Sequence, residues 1–252
     1  MHSPHIEAAK SIAQKARTSL PRFILEATGR ALYSPAATLT AGSPIYFLGL
    51  NPGEIPDGAE FHDLLTVEKD LDRLESDRID QHGYLDEKWK GNAPGWAPIQ
   101  TAGQEVFAIL AGGSVELGKS LLRRTPTSNF ILRRSPTEAI LKARTNMTPV
   151  TLANHCWPFH QAVLRESNCQ IILTHAVGVA RQFAKNHGLG DGWQRDSGWG
   201  GTLSTLYAWE LPEGPRLLAM PNLSRYKPDG PRAVALKAFF AEFGPIESHR
   251  DA

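Results

Sequence analysis

The stretch Tyr46–Glu54 reads YFLGLNPGE. With Pro44 and Ile45 before it, an apolar run leads into Gly49 and stops at Asn51-Pro52-Gly53. A short apolar run closed by turn residues predicts a strand buried on both faces, the kind found in a parallel sheet. Gly49 and Gly53 allow backbone conformations closed to other residues. Pro52 stiffens the turn and keeps Asn51 out of helical geometry. The amide of Asn51 is therefore expected at the end of the strand, in a fixed place.

Three more runs have the same form: SNFILRR (128–134), CQIILTH (169–175) and RLLAMPN (216–222). Helical patterns separate them. IEAAKSIAQKA precedes the first, and IQTAGQEVFAILA (99–111) spaces Val106, Phe107 and Leu110 at helical intervals. WPFHQAVLRES places Pro158 where a helix begins, and AVGVARQFAKNHG stops at Gly188. PRAVALKAFFAEFG runs from Pro231 to Gly244. Strand–helix alternation predicts an α/β fold: one three-layer α/β/α sandwich on a central, mostly parallel, four-stranded sheet. GWGGTLSTLYAWEL adds a hairpin or an edge strand. The 252 residues read as a single domain, with 1–43 a helical extension and 54–98 an acidic insertion or lid. In open α/β sheets ligands bind beyond the carboxyl ends of the strands, so the turns there hold the candidate chemistry.

Composition narrows the function classes. The apolar runs fall far short of the ~20 residues of a membrane span. The first twenty residues lack the apolar core of a secretory signal. Two cysteines, Cys156 and Cys169, exclude a four-cysteine zinc or iron–sulfur site and point to a reducing cytoplasm. Net charge is +1, but Glu54–Lys90 holds twelve acids against five bases, and Lys119–Arg144 seven bases against one acid. Such a basic patch binds phosphates without a basic total, and reads equally as a solvated face. GSVELGKS (113–120) fits the phosphate-binding pattern G-x-x-x-x-G-K-[ST]. The run before it is helical in pattern, only SLLRRT follows before Pro126, and no apolar strand ends in a magnesium-holding Asp. It reads as a glycine-rich connection between helices, with a P-loop nucleotide binder as the third functional reading. His155 and His160 are five apart, which is not zinc spacing on a helix.

GLNPG after an apolar strand resembles the first active-site motif of the uracil-DNA glycosylase superfamily, in the mismatch-specific and single-strand-selective branches that carry Asn there. TPTSNFILR resembles the second strand of that fold, whose Asn reads the base; here that residue is Asn129. MPNLSRYKP resembles the second active-site motif, a loop that enters the minor groove and usually begins His-Pro-Ser. Met220, or Asn222 in a shifted register, stands where that histidine is expected. The resemblance spans residues 44–240 in strand order and is specific at these three segments.

The resemblance implies an N-glycosylase that removes uracil or a related damaged pyrimidine from DNA, acting as a cytoplasmic monomer without metal or cofactor. Asn51 would orient water, and Asn222 or Ser224 would donate to the base oxygen. Gly49, Leu50, Pro52 and Gly53 would line the pocket, Phe61 would stack on the base, and Asn129 would read its edge. Arg225 and Lys227 would hold phosphates. On the residues alone, Asn129 reads first as a cap or turn residue, Asn222 as a turn residue beside Pro221, Phe61 as a core or lid aromatic, and the two cations as surface charge. The alternative function is a protein of the same fold that binds nucleobase or nucleic acid without cleaving it.

Overall fold

The computed structural model describes residues 3–53, 65–89, 91–200, 204–212 and 214–244. The first strand, β1 (Ile45–Gly49), is buried at all five positions. It pairs in parallel with β2 (Thr127–Asn129) on one side and β3 (Ile171–Thr174) on the other. β3 pairs in parallel with β6 (Arg216–Ala219). Next to β6 run β5 (Thr205–Glu210) and β4 (Trp193–Asp196), both antiparallel to their neighbours, giving the order β2-β1-β3-β6-β5-β4.

The sheet therefore has six strands, not four. Three of the four expected strands stand as β1, β3 and β6 of the parallel part. The strand expected over 128–134 is instead β2, Thr127–Asn129, so Asn129 closes its strand; Phe130, Ile131 and Leu132 after it all enter one core, without the alternation of a strand. Among the described residues the stretch 198–211 supplies β5 alone, and β4 lies before it. β5 is internal: Leu206 and Ala208 are buried on one face, Tyr207 and Trp209 on the other. β4 is the edge and is exposed at all four residues, Trp-Gln-Arg-Asp. A charged, solvent-exposed edge strand carries no apolar periodicity, which is why composition does not announce it.

Helices cover both faces. Tyr46, Leu48, Ile172 and Leu217 share a core with α1 (Pro4–Ser19), α7 (Pro149–Ser167) and α8 (Val177–Asn186). Ile45, Phe47, Ile171, Leu173 and Leu218 share the other with α4 (Pro98–Leu110), α5 (Val115–Arg123) and α9 (Gly230–Phe243). Alternation along each strand sends neighbours to opposite cores, the reason these strands read as continuous apolar runs. Fully burying one such side chain contributes about 1.5–3 kcal/mol. α1 inserts Ala8, Ala9, Ile12, Ala13 and Ala16 beside α7, so the N-terminal helix is part of the core. Among the described residues no helix is long and apolar enough to cross a membrane.

One helix boundary differs from the sequence reading. α7 starts at Pro149, where Thr148 accepts a hydrogen bond from the Thr151 N–H, and Pro158 lies inside the helix. Pro149 already supplies the starting proline, and burial of Leu152, Ala153, Cys156 and Phe159 holds the helix together across the hydrogen bond that Pro158 cannot donate.

Candidate functional site

Because β2, β1, β3 and β6 are parallel, their carboxyl ends emerge on one edge of the sheet. Gly49 pairs with Asn129, Leu48 with Thr174, and Thr174 with Ala219. Continuing one residue, Asn129, Gly49, His175 and Met220 form a row across four strands. Two residues earlier on three of these strands, Phe47, Leu173 and Leu218 face α4, α5 and α9, so the row lies on that face.

Gly49 is the gap in the row. A Cβ there would fall inside the van der Waals envelope of Asn129 Oδ1 and 3.3 Å from His175 Nε2. The glycine is required for this close approach and not for backbone freedom, since neither Gly49 nor Gly53 has a positive φ. The expectation of special backbone conformations at these two residues is thereby corrected. Asn129 is 9% exposed, and its amide makes no hydrogen bond among the described residues.

The turn after β1 is laced to the chain after β2. Phe130 N–H donates to Gly49 O at 3.0 Å, Ile131 N–H to Leu50 O at 2.9 Å and Ser135 N–H to Pro52 O at 2.9 Å. Asn51 Nδ2 donates to Pro52 O and to Ser135 O, both at 2.8 Å. Two carbonyls can only accept, so they fix which end of the amide is nitrogen. Both amide hydrogens are thus used, and Oδ1 remains as an oriented acceptor with no partner among the described residues. Pro52 is buried, Leu50 packs against the α1/α7 core, and Gly53 is exposed with its carbonyl accepting from Arg134 Nη1 at 3.3 Å.

His175 is a member of this site that motif reading passes over. It is 3% exposed, and its Nε2 lies 3.1 Å from the Tyr84 hydroxyl. Its Nδ1 is buried without a partner among the described residues. Burial pushes its pKa down to about 4, so the ring is neutral at pH 7. Burial raises the Tyr84 phenol, which keeps its proton. Tyr84 is held from behind: Gln104 Nε2 donates to its carbonyl at 2.8 Å, and Phe47 and Trp89 pack on its ring at 5.1 and 5.6 Å. The available signal was a polar residue closing the run CQIILTH at the ligand end of a parallel strand.

The loop after β6 stands further along the edge. The backbones of β2 and β6 are three strand spacings apart, about 14 Å, a span for a nucleotide and not for a base alone. Asn222 Oδ1 accepts from Ser224 N–H at 2.9 Å, and Asn222 O accepts from Arg225 N–H and Tyr226 N–H. The turn role is therefore real, and the Asn222 amide hydrogens are left without a partner among the described residues. Buried Tyr226 anchors the loop through its hydroxyl to Ser197 O at 2.7 Å. Ser224, Arg225 and Lys227 are exposed. Met220 is buried and apolar. The structure thus gathers Gly49, Asn51 and Asn129 at one side, and holds Asn222 and Ser224 apart. Phe61 lies outside the described residues.

Much of the acidic segment is neutralised at short range. Glu87 forms a two-point pair with Arg30, Asp86 another with Arg123, and Asp72 and Glu75 both hold Arg17. Asp70 accepts from the Ala31 N–H and lies near Arg73. These acids are tied to the body of the protein by arginines distant in sequence, so the run of negative charge overstates the field felt by an anionic ligand.

The Gly113–Ser120 motif follows α4, and its second half lies within α5, which is capped by Ser114. The expectation that too little chain remained for a helix is corrected: the helix begins inside the motif. Gly118 is required for packing, because a Cβ there would meet Ala108 N at 2.5 Å across the α4–α5 contact. A phosphate-binding loop instead follows a strand. A surface depression of about 710 Å³, lined by Lys15, Arg165, Gln170 and Pro215 among others, lies at the opposite end of β3 and β6. No family model matches the chain, and no curated protein matches it.

Proposed function

We propose that this chain is a uracil-DNA glycosylase-like N-glycosylase that hydrolyses the bond between uracil, or a related damaged pyrimidine, and deoxyribose. The observation that carries the reading is the presence of two differently used amides at the carboxyl ends of the adjacent strands β1 and β2. Asn51 spends both hydrogens on carbonyls and offers an oxygen. Asn129 is nearly buried and offers both a donor and an acceptor.

In this reaction the N1–C1′ bond breaks with its electron pair leaving on the base. A water oxygen bonds to C1′, and a water proton ends on the base. Asn51 Oδ1 accepts a hydrogen bond from that water and orients it, which is positioning and not proton abstraction, since an amide is not appreciably basic. Asn129 matches the O4 and N3–H of uracil. Backbone N–H groups face the developing charge on the base, and Asn222 and Ser224, held apart along the sheet edge, serve the sugar side of the same nucleotide. Arg225 and Lys227 contact phosphates of a DNA strand laid along the sheet edge. The fold this reading assigns is the three-layer sandwich of that superfamily, acting as a monomer without metal.

A second reading is favoured by Met220, which puts an apolar side chain where the family's histidine stands. It is a protein of the same fold that binds nucleobase or nucleic acid without cleaving. Incubating the protein with single- and double-stranded oligonucleotides containing uracil, and scoring strand scission after alkali, separates the two. Excision supports the enzyme. Retention of the uracil strand without excision supports the binding protein, and the absence of both excision and retention sinks both readings.

A further inference from the structure

We propose that His175 and Tyr84 together supply a third hydrogen-bonding group beside Asn129, so that the site reads an imide edge: acceptor, donor, acceptor in sequence, as in O4, N3–H and O2 of uracil. The inference rests on the glycosylase-like reading above and extends it to a specificity-determining pair outside all three sequence motifs.

A neutral imidazole carries one N–H, and the phenol one O–H. One of these two hydrogens is spent in the 3.1 Å contact between His175 Nε2 and Tyr84 Oη. The other remains. If the phenol donates to Nε2, the unspent hydrogen is on Nδ1, which has no partner among the described residues. If Nε2–H donates to the phenol oxygen, the unspent hydrogen is on Tyr84. Either arrangement leaves one buried donor without an acceptor among the described residues, and such a donor is costly unless something fills its place.

Asn129 Oδ1 is packed over Gly49, and His175 Nε2 approaches the same glycine from the other side. Oxygen is the end of the amide that belongs over Gly49, because it meets a Cα–H as a weak acceptor, whereas an amide N–H would oppose it. From β2 toward β3 the site therefore presents the Asn129 N–H₂ donor, the Asn129 oxygen acceptor, and the His175–Tyr84 donor. Donor–acceptor–donor complements the imide edge of uracil or thymine. Cytosine presents a donor followed by two acceptors and mismatches the first two groups.

The test uses the full-length chain and oligonucleotides carrying either uracil or 2-thiouracil, whose sulfur is a poor acceptor at the position of O2. The variants are Tyr84→Phe, which removes only the hydroxyl, and His175→Phe. Wild type should prefer uracil over 2-thiouracil by roughly tenfold in kcat/KM, the size of one hydrogen bond. That preference should shrink toward unity in Tyr84→Phe where the phenol carries the unspent hydrogen, and in His175→Phe where Nδ1 carries it. A merely structural role would lower both rates together and leave the ratio unchanged, and that result in both variants overturns the inference while leaving the glycosylase reading intact. If wild type does not excise, the same ratio is read from binding of a 2′-fluoro-deoxyuridine strand and its 2-thio counterpart. Absence of both excision and binding overturns the functional reading and this inference with it.

Discussion

The side-chain oxygen of Asn129 occupies the space that a Cβ on Gly49 would need. These residues are paired across β1 and β2, so neither can move without shifting the sheet. Gly49→Ala must displace the amide of Asn129, press on His175, or separate the strands. Overpacking of this kind costs about 1–3 kcal/mol. The expected outcome is a urea midpoint lowered accordingly and excision reduced at least tenfold. A fully stable, fully active Gly49→Ala protein would show that the Asn129 amide does not need its present position.

Asn51 makes a contrasting prediction for two substitutions. Asn51→Ala removes the oriented oxygen and should lower kcat by two or more orders of magnitude, with KM nearly unchanged, since water is positioned mainly in the transition state. Asn51→Asp places a carboxylate oxygen against the carbonyls of Pro52 and Ser135, which now accept from Nδ2 at 2.8 Å. Two acceptors facing each other lose both bonds and add repulsion. The acid should therefore destabilise the turn by about 1–3 kcal/mol despite its identical shape. Urea titration together with steady-state kinetics checks both. An Asp variant as stable as wild type would show that the Nδ2 contacts carry no weight.

β1, β3 and β6 were legible because each is an apolar run with punctuation, the composition of a doubly buried strand; β2 was misplaced, because it is the polar tripeptide Thr-Ser-Asn and the apolar run beside it, Phe130–Leu132, is not a strand. Asn51 was legible because a strand end next to Gly and Pro is where such sheets hold ligands; Asn129 was reached only through the resemblance, since its neighbours Ser128 and Phe130 carry no turn signal and its own residues placed it before a strand that it in fact ends. The antiparallel strand β4 was not legible, because an exposed edge has no pattern to read. His175 was missed for a different reason: its importance depends on Tyr84, which is ninety-one residues away in the chain and reaches it through a loop held by Gln104. The short-range pairing of the acidic segment was hidden in the same way, since Arg17, Arg30 and Arg123 lie far from the acids they meet.

Three buried histidines set the acid stability. His82, His160 and His175 are each pushed down to about 4 by burial. His160 shows why its neutral form is built in: Nε2–H donates to Phe130 O at 3.2 Å, and Nδ1 accepts from Tyr46 at 2.8 Å. In the unfolded chain these rings titrate near their ordinary value of about 6.5. The unfolded state thus binds more protons below that pH, and stability falls as pH drops from about 6.5 to 4. At pH 5 each ring costs about 2 kcal/mol. The urea midpoint should be flat above pH 7 and fall steeply below 6.5. A midpoint unchanged between pH 7.5 and 5 would mean that these rings are not buried neutral.

Asn129 carries the sharpest prediction. Uracil and cytosine differ where O4 accepts and N4–H₂ donates. The Asn129 N–H₂ meets O4 as a donor and would face another donor in cytosine, so cytosine is excluded. Asn129→Asp replaces that N–H₂ with an oxygen of the same shape. The new oxygen tolerates the cytosine amino group and repels O4. The second oxygen, over Gly49, still accepts from uracil N3–H but faces the N3 lone pair of cytosine. Uracil therefore loses one contact and gains a repulsion, while cytosine is relieved of one of its two mismatches and keeps the other. A buried polar group left unpaired costs about 1–3 kcal/mol. Uracil excision should fall by roughly one to two orders of magnitude, with a much smaller gain on cytosine. The fold should persist, because the two side chains are isosteric and the present amide makes no hydrogen bond among the described residues. Excision of both bases by wild type and variant, with folding followed by circular dichroism, provides the measurement. Unchanged uracil excision in a folded Asn129→Asp protein would show that this amide is a structural residue at the end of β2 and reads nothing.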